Sequence, residues 1–240
     1  MDEPADLPGD LIVAQAGDLP IVLTAPHGGR HGIPGVPQRT GGVQLRDEHT
    51  FEITQALAAR LAVLLGAPPY VVAARFSRTR IDANRPEETA LEHDAARPIY
   101  RAYHARIRHF VAEARQRFPA GALLLDIHGQ STDPAAIVRG TRDGATMPRL
   151  LAQHGVAALT GPTSILGVLA ARGHAVVPPN TPPGWPREHA AYRGGFTVRT
   201  YAAAIDALQL ELGIDVRAHP ALVDDLADAI ATFVRAYLTP

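Results

Sequence analysis

The sequence predicts a single α/β domain: a mixed, mostly parallel sheet with helices on both faces, three layers in all. Three observations predict it. Short apolar runs alternate with segments of helical periodicity along most of the 240 residues. Several of those runs, 122–127 above all with its four apolar residues before Asp126, are apolar without alternation, as strands covered on both faces are. No internal repeat or low-complexity linker divides the chain, so residues 1–240 read as one domain.

Taken in order, residues 11–14 and 21–24 read as strands separated by the turn signal Ala16-Gly17-Asp18. A Gly/Pro-rich loop, 26–42, follows. Ile53, Leu57, Leu61 and Leu64 repeat at helical spacing over 51–65, and Gly66 ends that helix. Residues 70–76 form a β-branched run expected to be a buried strand. A basic amphipathic helix is expected over 99–118, with Ile107, Val111 and Ala114 turned inward. Strands at 122–127 and 136–139 lead to weaker helices at 147–159 and 164–171 and a strand at 175–177. The proline-rich segment 180–193 reads as an active-site loop. Residues 196–201 and 207–212 read as two more strands. An amphipathic helix over 220–238 closes the chain, with Asp224, Asp225 and Asp228 on its wet side.

Composition removes whole classes of chemistry. There are 23 basic and 24 acidic side chains, so the basic surplus of a nucleic-acid or anionic-membrane binder is missing. Cysteine is absent, which excludes disulfides, thiol nucleophiles and Cys-based metal sites. Lysine is absent too, and every basic residue is arginine, which excludes a P-loop lysine and Schiff-base chemistry. None of the serines Ser77, Ser131 and Ser164 lies in a nucleophile elbow. Histidine occurs 11 times, so His, Asp, Glu and Arg remain as the working alphabet, and that alphabet points to metal chemistry. The acidic N-terminus, 1–10, carries no apolar signal region, and the longest uncharged stretch, 156–171, is broken by Gly161, Pro162 and Gly167. A cytoplasmic location with no membrane partner is the expectation.

Ligands bind outside the carboxyl ends of strands in an open α/β sheet. Two histidines stand at such ends: His27 in Pro26-His27-Gly28-Gly29, and His128 in Asp126-Ile127-His128-Gly129. Two imidazoles and a carboxylate make a catalytic zinc site with a position left open. Asp47 or Glu48 would supply the carboxylate. Both equally suit the start of a helix, where the macrodipole favours acids. Asp126 shares a strand face with His128 and either orients it or caps a loop. Glu211, inside the apolar run 207–212, is a general-base candidate because desolvation would tune it toward neutral pH. A buried pairing with an arginine is the alternative. The segment 77–86 is dense in Arg, Asp and Asn, and its guanidinium groups suit a substrate carboxylate, unless it is only a solvated turn.

In chain order these segments resemble the N-formylglutamate amidohydrolase (deformylase) family, a distant relative of zinc carboxypeptidases and aspartoacylase. The pieces that carry the resemblance are Pro26-His27-Gly28-Gly29, Arg46-Asp47-Glu48-His49-Thr50, Ser77-Arg78 with Ile81-Asp82-Ala83-Asn84-Arg85, Tyr103-His104, Asp126-Ile127-His128, Tyr192-Arg193-Gly194-Gly195 with Arg199, and the run ending at Glu211. The resemblance implies a phosphorylase/hydrolase-like fold and one Zn2+ held by His27, Asp47 and His128. Asp47 is preferred to Glu48 because Thr50 completes the family's Asp-x-x-Thr pattern. It further implies that Arg78 polarises the scissile carbonyl, that Asn84 and Arg85, with Arg199, hold a substrate carboxylate, and that Glu211 is the catalytic glutamate. The chain departs from the family at Gly28 and Gly129, where serine is common, and in its proline-rich loop 180–187.

The expected activity is therefore zinc-dependent cleavage of the amide bond of an N-acyl amino acid. N-formyl-L-glutamate is the leading substrate. A carboxypeptidase-like or other N-acyl-amino-acid hydrolase, and a non-catalytic metal- or amino-acid-binding protein, are the alternatives.

Overall fold

The apolar runs of the sequence become the middle of one sheet. The computed structural model describes residues 11–180 and 187–239; the acidic segment 1–10 and part of the proline-rich loop, 181–186, lie outside the described residues. The first half of the chain forms β1 (Ile12–Gln15), β2 (Ile21–Ala25), α1 (Thr50–Leu65), β3 (Tyr70–Ala74), α2 (Glu87–Ala90), α3 (Arg97–Arg117) and β4 (Leu123–Gln130). The second half forms β5 (Ala136–Gly140), α4 (Pro148–His154), α5 (Ala157–Thr160), α6 (Ile165–Ala171), β6 (Ala175–Val177), α7 (Phe196–Tyr201), β7 (Asp206–Gly213), α8 (Ile214–Arg217) and α9 (Leu222–Tyr237).

The sheet order is β1-β3-β2-β4-β7-β5-β6. The four central strands β3, β2, β4 and β7 run parallel. The edges reverse: β1 is antiparallel to β3, and β5, parallel to β6, is antiparallel to β7. Side chains alternate across the strands, so each strand feeds two cores. Leu23, Leu125 and Leu210 pack with α1, α6 and α9 on one face. Val22, Val72, Leu124 and Ala207 pack with α3 and α7 on the other. All seven of these residues are fully or almost fully buried, and each buried Leu or Val side chain contributes about 1.5–3 kcal/mol. Two covered faces are the reason the run before Asp126 shows no polar alternation.

That alternation also fixes the site. Asp126 and His128 on β4, and Gln209 and Glu211 on β7, share the face that carries Leu124 and Ala207, so they project toward α3 and α7. The register sets His128 directly beside Glu211. Gly129 and Leu212 point to the opposite face, toward α1 and α9. No single helix among the described residues is long and apolar enough to cross a membrane.

Three expectations are corrected. Residues 196–201 are helix α7, not a strand. Its β-branched residues read as strand, but Val198 and Tyr201 are buried on one helical side, and Asn84 accepts from Thr197 N (2.8 Å) and Thr197 Oγ1 (3.0 Å) at the first turn. That stabilising partner comes from a distant loop and leaves no local signature. The helix expected over 147–159 is two, α4 and α5, divided at Gly155, whose φ of 64° favours glycine. Asp225 is not on the wet side of α9: it is buried under Arg172 Nη1 (2.7 Å) and His174 Nε2 (2.8 Å). Asp224 remains exposed.

Candidate metal centre

Strand β2 ends at Ala25, and the chain turns at once to place His27 at the carboxyl edge of the sheet. Gly28 permits this: a Cβ there would lie 2.3 Å from Phe51 N, inside the first turn of α1. The close approach brings His27 beside Asp47, whose backbone N–H donates to His27 O (3.2 Å). His128 reaches the same point from β4. The two imidazoles meet edge to face, with centroids 4.9 Å apart.

His27, Asp47 and His128 are all buried and offer ligand atoms that lie within 4.8 Å of one another. His27 Nδ1 is 3.4 Å from Asp47 Oδ2, and His128 Nδ1 is 3.2 Å from the same oxygen. The outer nitrogen of each ring is held by its own carboxylate. His27 Nε2 is 2.7 Å from Asp82 Oδ1, and His128 Nε2 is 2.9 Å from Asp126 Oδ2. A carboxylate only accepts, so each Nε2 carries its hydrogen and Nδ1 is the nitrogen that each ring turns inward. His27 Nδ1 is buried without a hydrogen-bond partner. An orphaned acceptor that faces a second imidazole and a carboxylate is what a divalent cation would satisfy, so this group could hold a metal ion.

The charges fit the same use. Burial alone would raise the Asp47 carboxyl, yet His27 and His128 hold it well below the usual carboxylate range. Burial would lower His128, but Asp126 and Asp47 raise it well above an ordinary imidazole. Asp82 is likewise held low against its burial, by His27 and Arg78. A cation taking the Nδ1 positions would replace the proton that His128 otherwise keeps.

Glu211 stands next to this group without belonging to it. Burial pushes its carboxyl up to about 7, against the pull of His128. Gln209 Nε2 donates to Glu211 Oε1 (2.6 Å), and Gln209 Oε1 accepts from Gly195 N (2.5 Å). The arginine pairing that composition left open for Glu211 is not among the described ion pairs.

Every site residue nominated from the sequence lines one cavity of about 730 Å³. Their states differ. Arg78 is buried and largely engaged: Nε and Nη2 donate to Asp82 Oδ2 (3.3 and 3.2 Å), and Nη1 to Asp47 Oδ1 (3.2 Å) and Leu45 O (3.3 Å). Asn84 gives its oxygen to Thr197 and brings Nδ2 to 3.2 Å from His128 Nε2. Arg85 is half exposed and only 4.0 Å from Asp82, while Arg199 is exposed and donates from Nε to Gly195 O (3.0 Å). Glu48 is exposed and paired with Arg46, so the alternative carboxylate lies outside the His27–Asp47–His128 group.

Sequence reasoning did not single out Asp82, Gln209 or Arg217. Gln209 carried a signal, since it precedes Glu211 by two strand positions just as Asp126 precedes His128. Asp82 was hidden among arginines. Of the motif pair Tyr103-His104, His104 is structural: its Nε2 faces Ala83 O (3.1 Å) and Nδ1 faces Tyr201 Oη (2.9 Å).

No protein-family model matches the sequence, and no curated protein sequence matches it. Solved structures do. N-formylglutamate amidohydrolase from Ralstonia eutropha aligns with a TM-score of 0.63 at 19% identity, covering 95% of this chain and 97% of that one. A gene product of Agrobacterium tumefaciens aligns with a TM-score of 0.55 at 17% identity, over 96% and 92% of the two chains. At such identities the likeness is one of architecture, and this chain has the α/β fold of the N-formylglutamate amidohydrolase that its motifs resemble.

Proposed function

We propose that the protein is a zinc-dependent hydrolase that cleaves the amide bond of an N-acyl amino acid with a free carboxylate. N-formyl-L-glutamate, yielding formate and L-glutamate, is the first substrate to assay. The observation that carries this reading is the orphaned His27 Nδ1 facing Asp47 and His128 in the cavity that also holds the neutral-tuned Glu211. The shared fold with the Ralstonia amidohydrolase supports it.

One Zn2+ held by His27, Asp47 and His128 would supply a Lewis acid at the sheet edge. The chain's own residues account for the rest. Asp82 and Asp126 fix both rings with Nδ1 turned inward. Glu211 takes a proton from water as the water oxygen attacks the amide carbonyl, then gives it to the leaving nitrogen as the C–N bond breaks. Its carboxyl near pH 7 suits both halves of that exchange. Arg78 uses four of its five N–H groups on Asp82, Asp47 and Leu45, which leaves one Nη2 hydrogen for the carbonyl oxygen. Asn84, Arg85 and Arg199 line the wall that takes the amino-acid carboxylate.

Metal content and product analysis test this together. Purified protein is expected to carry one divalent ion per chain, lost in His128→Ala, and to release formate from N-formyl-L-glutamate. Glu211→Gln should keep the metal and lose about 100-fold or more in kcat. No divalent metal in either protein, or an equally active Glu211→Gln, would overturn the reading.

A further inference from the structure

The mechanism leaves two arginines of the cavity wall without a task, and of these Arg46 is paired with Glu48. Arg217, at the end of α8, lines the same cavity as His128 and Glu211. Its Nη1 is fixed by main-chain carbonyls, donating to Leu212 O (2.5 Å) and Gln130 O (3.4 Å). Its Nε is buried with no partner, and no carboxylate among the described residues is paired with it. The guanidinium lies against Gly129: a Cβ at that position would sit 2.0 Å from Nη1 and 2.6 Å from Cζ. Only a glycine next to His128 leaves room for this cation.

Its position relative to the other arginines is set by strand alternation. Asn84 and Arg199 lie toward α3 and α7, on the face from which His128 and Glu211 project. Gly129 faces the other way, so Arg217 occupies the α1 and α9 side of the same edge. The negative groups that bear on it are Asp47, Glu211 and Glu48 rather than Asp82. The metal-binding group therefore stands between two cationic walls. Ile214, on the same short helix as Arg217, is an exposed apolar side chain that also lines this cavity.

We infer that Arg217, in the space opened by Gly129, is an anion subsite for the acyl half of the substrate. It selects N-acyl amino acids whose acyl chain ends in a carboxylate. The inference rests on the proposed function for one step, the placing of the amino-acid carboxylate on the Asn84 and Arg85 wall. The acyl group then extends across the centre to Arg217. A short methylene chain crosses the rim, and its terminal carboxylate meets Nη2, the donor that is neither buried nor engaged.

N-succinyl and N-butyryl derivatives of one amino acid have similar chain lengths and differ in the terminal charge. The wild type is expected to favour the succinyl compound, and Arg217→Gln to lower the succinyl-to-butyryl ratio of kcat/KM by about ten- to hundredfold, the worth of a charge-assisted hydrogen bond. Arg217→Lys should restore part of the ratio, and Gly129→Ala, whose methyl displaces the guanidinium, should lower it as Arg217→Gln does. Calorimetric titration with succinate and with butyrate reads the subsite without turnover. Tighter succinate binding in the wild type, lost in Arg217→Gln, supports the inference even if no amide is cleaved, in which case the proposed hydrolase function fails alone. A wild type that does not distinguish the two acyl groups, or succinate binding unchanged by Arg217→Gln, overturns the inference whatever the fate of the hydrolase reading.

Discussion

Replacing Asp82 by asparagine tests whether carboxylates behind the histidines set metal affinity. Asp82 Oδ1 lies 2.7 Å from His27 Nε2 and accepts from Asn84 N (3.2 Å), while Oδ2 accepts from Arg78 Nε and Nη2 (3.3 and 3.2 Å). All these partners are donors. Asparagine has one acceptor oxygen and one donor amide, so one side of the network must face donor against donor. If the oxygen stays on His27, the amide meets Arg78, and Arg78 loosens its hold on Asp47 Oδ1. If the amide turns to His27, the imidazole must move its hydrogen to Nδ1 and loses the inward lone pair. Either arrangement weakens a ligand.

The expected cost is about 10- to 100-fold in metal affinity, or roughly 1.4–2.7 kcal/mol. Asp126→Asn is the internal control. Asp126 Oδ1 accepts from Thr24 Oγ1 (2.6 Å), and a hydroxyl can rotate to accept from an amide instead. The asparagine oxygen then stays on His128 Nε2 and only the charge is lost, so a smaller effect, under about tenfold, is expected. Competition for Zn2+ against a chromophoric chelator, with thermal melts to verify folding, gives both numbers. Asp82→Asn within about threefold of wild type, or no weaker than Asp126→Asn, would refute the argument.

Two further outcomes follow from buried groups away from the His27–Asp47–His128 group. Burial lowers His104 from 6.5 to about 4, so the unfolded chain takes the proton first: its contribution of about 3 kcal/mol is complete above pH 6.5 and is lost as pH falls toward 4. Urea melts from pH 7 to pH 4 should show a shallower decline in His104→Gln than in wild type, and parallel curves would exclude this role. Glu188 is buried and accepts from Arg139 Nε (3.1 Å), Thr141 N (2.7 Å), Thr141 Oγ1 (2.5 Å) and Asp143 N (2.9 Å), so Glu188→Ala strands a buried guanidinium and should cost about 3–5 kcal/mol, or about 10 °C in Tm by calorimetry. A loss under about 1 kcal/mol would show the Arg139 charge to be satisfied by other groups.

What was legible in the sequence were features written in short range. The continuous apolar run before Asp126 is legible because β4 is covered on both faces, and helix α9 because one side of it is wet. His27 and His128 are legible because each follows such a strand. The features that stayed hidden depend on residues distant in the chain. Residues 196–201 have a strand-like composition, and their helix is held by Asn84, 113 positions away. Asp225 is acidic on an amphipathic helix, and only the fold brings Arg172 and His174 over it. Asp82 sits in a run of arginines that reads as a solvated turn, yet it is buried and holds His27.

The arginines show why motif position and chemical role differ in this molecule. A guanidinium keeps its charge under burial, whereas a lysine can shed it, so in a chain with no lysine each cation at the cavity needs an anion, a carbonyl or water. Arg78 has the strongest motif, but its charge is already met by Asp82 and Asp47. Its main effect is to hold those two carboxylates, and with them His27, in place. Arg217 has no motif at all, and its charge meets only main-chain oxygens. Arg85 and Arg199 are similarly under-compensated on the opposite side. The cavity thus presents a neutralised centre between two positive walls. A substrate that carries charge at one end only leaves one wall to water, and one that carries charge at both ends satisfies the two together.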